Sequence, residues 1–456
     1  MNSPNRFSRR SFLAASSAAA GALALPRVLG APATAAARPN LVFILMDDLG
    51  WADLGCYGST FHQTPNLDRL AGQGMRFTDG YAACPVCSPT RASLLTGKYP
   101  ARLGVTNFLV GSRWPDDSPI APVDWQTKGV PESETTLAKL LRSAGYATAH
   151  VGKWHVGGQP KAHGFDTVVP QLPRGHFAKD NQYESDYYAQ QVSQILAANK
   201  SQPFYLQVWP FLVHIPLQAK QELIRKYEAK LKAGRPTLQD NPIYAAMVES
   251  SDDLVGRILS KLDELGLADN TVVVFSSDNG GLSVDEGGNR RPTSNAPLRD
   301  GKGYLYEGGV REPWIVRWPG VVKAGATCST PITSVDFLPT VMEMAGLASK
   351  TPDRLDGQSF VGLLKQLAGP SRDAIYWHYP HYSNQGGKPG GAVRAGDLKL
   401  IQWYEEGDVE LYDLKADPGE KTNLAATHAD KAAQLLGMLD GWRKSVGAQM
   451  PRRRGG

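Results

Sequence analysis

Short apolar runs alternate along this chain with helical patterns, and this alternation constrains the fold more than any other feature. The first run, Asn40 to Met46, is wholly apolar after its asparagine, as expected for a strand buried on both faces. Similar runs at 147–151, 204–209 and 271–275 predict further strands. Because helical patterns separate these runs, we expect an α/β fold with a large, mostly parallel sheet sandwiched by helices.

Three helices are expected between these strands. Thr64 is the candidate N-cap of the first helix, with Pro65 in its first turn. The second is predicted over 133–143, and the third is a long amphipathic helix over 243–265 with one apolar stripe.

After about residue 370 the pattern changes to short strands separated by turn residues. Strands at 392–394, 399–404 and 410–414 predict a small antiparallel sheet, and a final helix is expected at 430–446. The predicted regions are a targeting segment at 1–37, an α/β domain at 38–370 and an α+β subdomain at 371–456.

The N-terminal segment has the pattern of an export signal. Ser8-Arg9-Arg10-Ser11-Phe12-Leu13 is a twin-arginine motif, an apolar stretch follows it, and small residues at 31–37 offer A-x-A cleavage sites. A disordered basic tail is the alternative interpretation. The pattern predicts passage through the twin-arginine translocase and a periplasmic or secreted protein.

Charge and hydropathy exclude two classes of partner. The formal charge falls from +5 to +1 without residues 1–37, which contain four arginines and no acidic residue. We therefore predict no nucleic-acid partner. Nothing beyond the first forty residues is apolar over a length that crosses a bilayer, so no membrane span is expected.

Four cysteines, Cys56, Cys84, Cys87 and Cys328, are too few for a disulfide scaffold of this length. Cys84 and Cys87 form a C-x-x-C pair. Taken alone, that pair is compatible with thioredoxin-like redox chemistry or with half of a zinc site.

Polar residues follow the predicted strands at their carboxyl ends, where open α/β sheets bind ligands. Asp47 and Asp48 follow the first strand, and Asp278 and Asn279 follow the strand at 271–275. Their hard oxygen atoms suit Ca²⁺, with Mg²⁺ as the alternative, better than zinc. One such pair is also typical of helix caps and turns, but two pairs at equivalent strand ends, taken together with the motif described next, favour a metal site.

A specific motif accompanies these acids. Cys87-Ser88-Pro89-Thr90-Arg91, continued by Leu94-Leu95-Thr96-Gly97, resembles the signature of the type I sulfatases, C-x-P-x-R followed by L-x-T-G. Thr90 where serine is common, and Val213 where a proline often precedes the histidine at His214, are mild departures. The similarity to this family extends over segments 39–50, 152–155, 277–281, 298–303, 307–311 and 417–420.

The resemblance implies an alkaline-phosphatase-like fold and a sulfatase in which a formylglycine-generating enzyme oxidises Cys87 to formylglycine. It also implies that the domain at 38–370 is catalytic and that the subdomain at 371–456 caps the active site. A thiolate attacks well, but its sulfated form has no easy route to release sulfate. A hydrated aldehyde carries two hydroxyl groups, so that one attacks sulfur and deprotonation of the other expels sulfate. Pro89 should lie in the first turn of a helix whose N-terminus favours an anion beside position 87.

The resemblance also implies a set of residue roles. The implied metal ligands are Asp47, Asp48, Cys87, Asp278 and Asn279. The implied catalytic residues are Cys87, Arg91, Lys153, His155, His214 and Lys302. Both lysines would hold sulfate, and Arg91 would orient a hydrate oxygen. His214, with Lys302, would protonate the leaving alkoxide, and His155 would take a proton during sulfate release.

The C-terminal region supplies candidate substrate contacts, because its aromatic, imidazole and amide side chains are typical of sugar sites. The candidates are His378, His381, Asn384 and Arg394. This segment resembles those of bacterial carbohydrate exo-sulfatases, which implies a sulfated carbohydrate of the galactose or N-acetylgalactosamine type, or another sulfate ester. For any one of these residues, a glycine-rich loop packed on the sheet is the alternative.

Two other functions remain open at this point. Phosphodiesterases and phosphonate monoester hydrolases of the same superfamily can share C-x-P-x-R, and turnover of aryl sulfate against aryl phosphate diester would separate them. A non-catalytic glycan-binding relative would keep Cys87 as a thiol, which the intact mass of the protein would reveal.

Overall fold

The central strand of the fold is buried on both faces, as its apolar run predicts. In the computed structural model, all seven residues of the strand Asn40–Met46 (β1) are buried. Val42 and Ile44 point into one hydrophobic core, whereas Leu41 and Phe43 point into a second core on the opposite face. The strand therefore lies inside a sheet that is covered on both sides.

The structure describes residues 38–173, 175–177, 182–234 and 238–454. The predicted targeting segment at 1–37 lies outside the described residues. The strands that follow β1 are β2 (Met75–Tyr81), β3 (Ala147–Gly152), β4 (Thr167–Pro170), β5 (Phe204–Trp209), β6 (Thr271–Ser277), β7 (Arg311–Arg317), β8 (Ala326–Cys328), β9 (Ile332–Thr333), β10 (Ile375–Tyr379), β11 (Gly390–Ala395), β12 (Leu398–Trp403) and β13 (Val409–Asp413).

The helices vary from one turn to six turns in length. The α-helices are α1 (Pro65–Gln73), α2 (Cys87–Thr96), α3 (Pro100–Leu103), α4 (Leu137–Ser143), α5 (Glu184–Ala198), α6 (Gln221–Ala233), α7 (Pro242–Glu264), α8 (Glu307–Val310), α9 (Phe337–Met344), α10 (Val361–Leu364) and α11 (Ala429–Val446). Short 3₁₀ turns lie at Trp51–Asp53, Gly55–Tyr57, Pro160–His163, Ala268–Asn270, Ser334–Asp336 and Ala348–Lys350.

The first nine strands form one large sheet. Its order is β4-β3-β5-β1-β6-β7-β2-β8, and β9 pairs with β2. All pairs in this sheet are parallel except those that β7 makes with β6 and β2. The predicted mostly parallel sheet is confirmed. Because β1 lies between β5 and β6, the residues that follow these three strands meet at one edge.

Helices cover both faces of this sheet, which confirms the predicted sandwich. The core on one face includes side chains from α1, α5, α6 and α7, and the core on the other face includes side chains from α2, α4, α9 and α10. The second predicted helix starts later than expected: α4 begins at Leu137, where Thr136 accepts a hydrogen bond from Lys139 N. Thr64 precedes α1 but does not cap it, because its hydroxyl instead accepts from Gly55 N.

The last four strands form a separate antiparallel sheet in the order β10-β11-β12-β13. Leu435 and Leu439 of α11 pack with Val393 and Leu400 of this sheet in one core. The sheet and its helix are as predicted, except that β10 was not expected. Both sheets belong to one compact unit, so the predicted boundary near residue 370 remains a prediction.

Two further features concern the described residues only. Cys56, Cys84, Cys87 and Cys328 are all free thiols. None of the described helices combines the length and the hydrophobicity that a bilayer crossing requires.

Candidate active site

Two acids leave the central strand and turn toward the end of β6. Asp48 has φ 61°, a left-handed conformation that interrupts the alternation of side chains along β1. Its backbone N–H donates to Asp278 Oδ1 (3.2 Å), and Asn279 Nδ2 donates to its Oδ1 (2.8 Å). The predicted pairs, Asp47 with Asp48 and Asp278 with Asn279, therefore meet at one point.

The oxygen atoms of this cluster fit a divalent cation. Asp47 Oδ1 and Asn279 Oδ1 are both buried, and neither of them accepts a hydrogen bond. Buried acceptors without donors are expected where a cation binds. Ligand atoms of Asp47, Asp48 and His214 lie within 4.8 Å of one another, so the two carboxylates are near enough to share one ion.

Three cationic side chains surround these acids. Arg91, on α2, contacts Asp278 Oδ2 through Nε (2.8 Å) and Nη2 (2.7 Å). Lys153 Nζ lies 2.5 Å from Asp47 Oδ2, and Lys302 Nζ lies 2.7 Å from Asp48 Oδ2. All three cations are buried. Each of them is paired with a carboxylate, as buried charges require.

Cys87 is the first residue of α2, a helix in which every residue is buried. Its Sγ lies 3.2 Å from His155 Nδ1, and His155 Nε2 lies 3.1 Å from the carbonyl oxygen of Leu109. Because a carbonyl only accepts, Nε2 carries the hydrogen and Nδ1 faces position 87 with a free lone pair. The imidazole is therefore oriented to accept a proton from a group at that position.

His214 lies in the turn after β5. Its Nδ1 lies 2.6 Å from the carbonyl oxygen of Ile215, and its Nε2 lies 3.0 Å from Lys302 Nζ and 3.5 Å from Asp48 Oδ2. By the same reasoning Nδ1 carries the hydrogen, so Nε2 accepts from the Lys302 ammonium. The Lys302 ammonium is therefore a proton donor to the His214 imidazole, whose side chain is partly exposed.

Burial and neighbouring charges determine the protonation of these groups. Burial, aided by the charge of Lys153, lowers the pKa of His155 to about 3. Burial and Lys302 lower the pKa of His214 to about 4, so both imidazoles are neutral at neutral pH. Burial favours the neutral form of Asp47, but the charges of Lys153 and Arg91 outweigh it and lower its pKa. Burial raises the pKa of the Cys87 thiol.

The structure thus brings together ten of the residues predicted from sequence. They are Asp47, Asp48, Cys87, Arg91, Lys153, His155, His214, Asp278, Asn279 and Lys302. Hydrogen bonds and ion pairs connect eight of them. The other two, Cys87 and His155, contact each other, and the Cys87 thiol is near enough for the charges of Lys153 and Asp47 to act on its pKa.

The candidate substrate residues are not brought together in this way. His378 is buried, with Nδ1 2.7 Å from Tyr404 Oη and Nε2 3.0 Å from Gln449 O. The Arg394 guanidinium is buried against Asp79 (2.6 Å). Both side chains have protein partners, and a substrate contact by either of them stays a prediction.

The other two candidates differ from each other. His381 is buried, its Nε2 lies 2.9 Å from Thr106 Oγ1, and its ring contacts two tryptophans. Asn384 is exposed and lines a cavity of about 630 Å³ together with Arg113, Asp116 and Tyr382. A substrate contact by Asn384 stays a prediction.

Two buried residues that sequence reasoning missed hold the turn after Asp48. Tyr244 Oη donates to Asp53 Oδ2 (2.6 Å) and lies 3.3 Å from the Asp48 carbonyl oxygen. Asp53 Oδ2 also accepts from Gly50 N (2.8 Å). The Gly50–Asp53 spacing is that of a capping box and could have indicated Asp53, whereas Tyr244 resembles any core residue of an amphipathic helix.

Comparison with known proteins identifies the family. The sulfatase family model matches residues 39–347, and the C-terminal model of N-sulphoglucosamine sulphohydrolase matches residues 300–441. N-acetylgalactosamine-6-sulfatase of Homo sapiens is 34% identical over 424 residues, which cover 86% of this chain and 77% of that protein. A sulfatase of Formosa agariphila is 31% identical over 501 residues, which cover 89% of this chain and 88% of that protein.

A solved structure extends the similarity to the fold. The crystal structure of Ps i-CgsB in complex with k-i-k-neocarrahexaose matches with a TM-score of 0.75 and 28% identity, over 89% of this chain and 92% of that chain. The matched sulfatase model spans more than half of the residues, including all ten that meet at the site. The chain belongs to the sulfatase family and is a sulfuric ester hydrolase.

Proposed function

We propose that this sulfatase hydrolyses sulfate esters of sugars, with formylglycine at position 87 as the nucleophile and a Ca²⁺ ion at the acids beside it. One observation carries the proposal: Cys87 begins α2 with its Sγ 3.2 Å from a histidine whose free nitrogen faces it. A hydrated formylglycine has two hydroxyl oxygens on one carbon, one to attack sulfur and one whose deprotonation expels sulfate.

Asp47, Asp48, Asp278 and Asn279, with the modified position 87, would hold the cation. Asp47 Oδ1 and Asn279 Oδ1, which are buried and lack hydrogen-bond donors, support this assignment. A divalent ion with these hard ligands supplies charge that offsets the negative charge on the sulfuryl oxygens. Mg²⁺ is the alternative ion, because the same ligand types suit both.

The chain's own residues account for the remaining steps. Lys153 and Lys302 lie beside the acids and provide positive charge for a sulfate group. His155 accepts a proton from the group at position 87 through its free Nδ1. The Lys302 ammonium, which donates to His214 Nε2 at 3.0 Å, supplies a proton that His214 relays to the leaving alcohol oxygen.

The substrate class rests on similarity. The relatives include an N-acetylgalactosamine-6-sulfatase, and the matched solved structure contains a neocarrahexaose. We extend these names to a sulfated galactose or N-acetylgalactosamine residue as substrate. The exposed Asn384 lines a cavity with Arg113 and Tyr382, a mixture of amide, cation and aromatic groups that suits sugar hydroxyls.

The route to the mature protein is part of the same proposal. The twin-arginine motif at Arg9 and Arg10 supports export to the periplasm or beyond, and the C-x-P-x-R motif supports recognition by a formylglycine-generating enzyme.

The test combines mass and activity on protein made in a host that can perform the oxidation. The intact mass should show loss of one sulfur and two hydrogens and gain of one oxygen at position 87, and the protein should release sulfate from galactose 6-sulfate or N-acetylgalactosamine 6-sulfate. Cys87→Ala should release none. An unmodified thiol in an active protein would refute the nucleophile. Hydrolysis of only small aryl esters would refute the sugar assignment, and preference for an aryl phosphate diester would refute the reaction.

A further inference from the structure

A buried histidine–glutamate pair lies behind the turn that carries His214. His176 Nδ1 lies 2.6 Å from Glu184 Oε2, and both side chains are fully buried. Neither residue belongs to the site described above, and neither belongs to a motif of the sequence. A buried ionisable pair contributes little net stability compared with apolar residues of the same size, so its presence calls for another reason.

The pair binds both ends of the His214 turn. His176 Nε2 lies 2.8 Å from the carbonyl oxygen of His214, and Glu184 Oε1 accepts from the backbone N–H of Phe211. The turn closes on itself through a bond from His214 N to Phe211 O (2.9 Å). Since the His214 carbonyl only accepts, Nε2 of His176 must carry a hydrogen. The pair therefore determines where the turn begins and where it ends.

Ring contacts add to these hydrogen bonds. The rings of His176 and Phe211 stack with centroids 5.2 Å apart, and those of Phe211 and His214 stack at 4.6 Å. The His214 ring is thus the last of three stacked rings, and the first of them belongs to His176 of the buried pair. At the edge of the His214 ring, Nε2 contacts Lys302 and Asp48. A change at His176 would reach the imidazole both through the backbone and through the stack.

We propose that His176 and Glu184 are positioning residues that align His214 for protonation of the leaving group. This inference rests on the proposed role of His214. Protonation matters in proportion to the basicity of the leaving oxygen: an alcohol needs it, whereas a nitrophenolate leaves without it. Disturbing the pair should therefore slow esters of basic alcohols selectively, which a general loss of folding would not do.

Two amide substitutions separate the two hydrogen bonds of His176. In His176→Asn the amide nitrogen replaces Nδ1, keeping the bond to Glu184 and losing the bond to His214 O. In His176→Gln the longer side chain replaces Nε2 and keeps the bond to His214 O. The readout is kcat/KM for a series of aryl sulfates, plotted against the pKa of the leaving phenol.

We expect the slope of that plot to steepen in His176→Asn, with phenyl sulfate slowed about tenfold or more and 4-nitrophenyl sulfate slowed less than about twofold. His176→Gln should keep the wild-type slope. The double variant His176→Asn/His214→Ala should be no steeper than His214→Ala alone. Equal slowing of all esters, an unchanged slope in folded protein, or additive steepening in the double variant would overturn the proposal.

If His176→Asn loses its cooperative thermal transition, the same experiment is done with Glu184→Asp. The shorter aspartate carboxylate cannot reach both His176 and Phe211. The same steepening is required, and its absence overturns the proposal. Release of sulfate from sulfated galactose is measured separately with the wild type. Failure there refutes the sugar assignment, whereas the aryl series still tests the positioning role.

Discussion

Lys302 Nζ lies 2.7 Å from Oδ2 of Asp48. Lys153 is paired in the same way with Asp47, so each acid that follows the central strand has its own lysine. These acids are also the proposed cation ligands. Cation binding and lysine pairing therefore draw on the same carboxylate oxygens, and each should influence the other.

Lys302→Ala should expose this coupling. The change leaves the Asp48 carboxylate buried without its lysine partner. In EDTA, without bound metal, we therefore expect the unfolding free energy of the variant to fall by about 3 kcal/mol. Ca²⁺ should raise its melting temperature more than that of the wild type, because the ion replaces the missing charge. Thermal unfolding with EDTA and with Ca²⁺ measures both effects. Lys323→Ala, at an exposed lysine, is the control. An equal Ca²⁺ shift in wild type and Lys302→Ala would contradict the coupling.

Arg91→Lys should fail to replace arginine even though it keeps the charge. The guanidinium contacts Asp278 through two nitrogens and donates to the Lys153 carbonyl through a third (3.1 Å). An ammonium group cannot make this planar set of contacts. Urea unfolding should show a loss of about 3 kcal/mol, accompanied by loss of sulfate release. Arg69→Lys on the exposed face of α1 should change neither quantity. Wild-type stability in Arg91→Lys would show that charge alone suffices.

Arg394→Ala distinguishes a structural role from a substrate role. The side chain is buried, and Asp79, its partner at 2.6 Å, also pairs with Arg311 at 2.6 Å. We expect a loss of about 2 kcal/mol in unfolding free energy and an unchanged KM for the sulfated sugar. Asn384→Ala, at the exposed cavity residue, should show the reverse pattern. A raised KM in Arg394→Ala at unchanged stability would instead support the substrate contact predicted from sequence.

Glu420→Gln should remove one source of pH dependence. Lys399 Nζ lies 2.9 Å from both Glu307 Oε1 and Glu420 Oε1, all buried. Burial raises the pKa of Glu420, and the charge of Glu307 adds to this against the opposing effect of Lys399. The folded chain therefore keeps a proton that the unfolded chain releases, so the wild type loses stability as pH rises above the ordinary glutamate range.

The comparison for this prediction is the unfolding free energy of the wild type and of Glu420→Gln at several pH values. Near pH 5 Glu420 is still protonated in the folded chain, so the unfolding free energies of the wild type and of the variant should be about equal. Toward about pH 8 the unfolding free energy of the variant should be higher by roughly 1 kcal/mol. A wild-type advantage that grows with pH would mean that the Lys399 pair outweighs burial.

The sequence was most informative where burial pattern and motif coincide. The apolar run of β1 predicted a strand buried on both faces. The positions of Asp47–Asp48 and Asp278–Asn279 after parallel strands predicted that the two pairs lie close together. The structure confirms both the sheet and the cluster. Strand ends are predictable in this way because parallel strands deliver their carboxyl ends to one edge.

The sequence was least informative where a side chain's partner is distant along the chain. His378 and Arg394 have the composition of a sugar site, but tertiary contacts with Tyr404 and Asp79 occupy them. The pair His176–Glu184 was missed because nothing in its local sequence distinguishes it from solvent-facing polar residues. Composition indicates what a side chain could bind, and only the tertiary structure decides which partner it has.

The complete burial of α2 has a consequence for the order of events in the life of this protein. An enzyme that must grip the residues around position 87 finds none of them on the surface of the finished domain. Under the proposed maturation, oxidation therefore has to precede packing of this helix. If export then follows the twin-arginine route, the domain crosses the membrane already folded. Under the same proposal, a chain that folds before it meets the oxidising enzyme keeps Cys87 as a thiol and remains inactive.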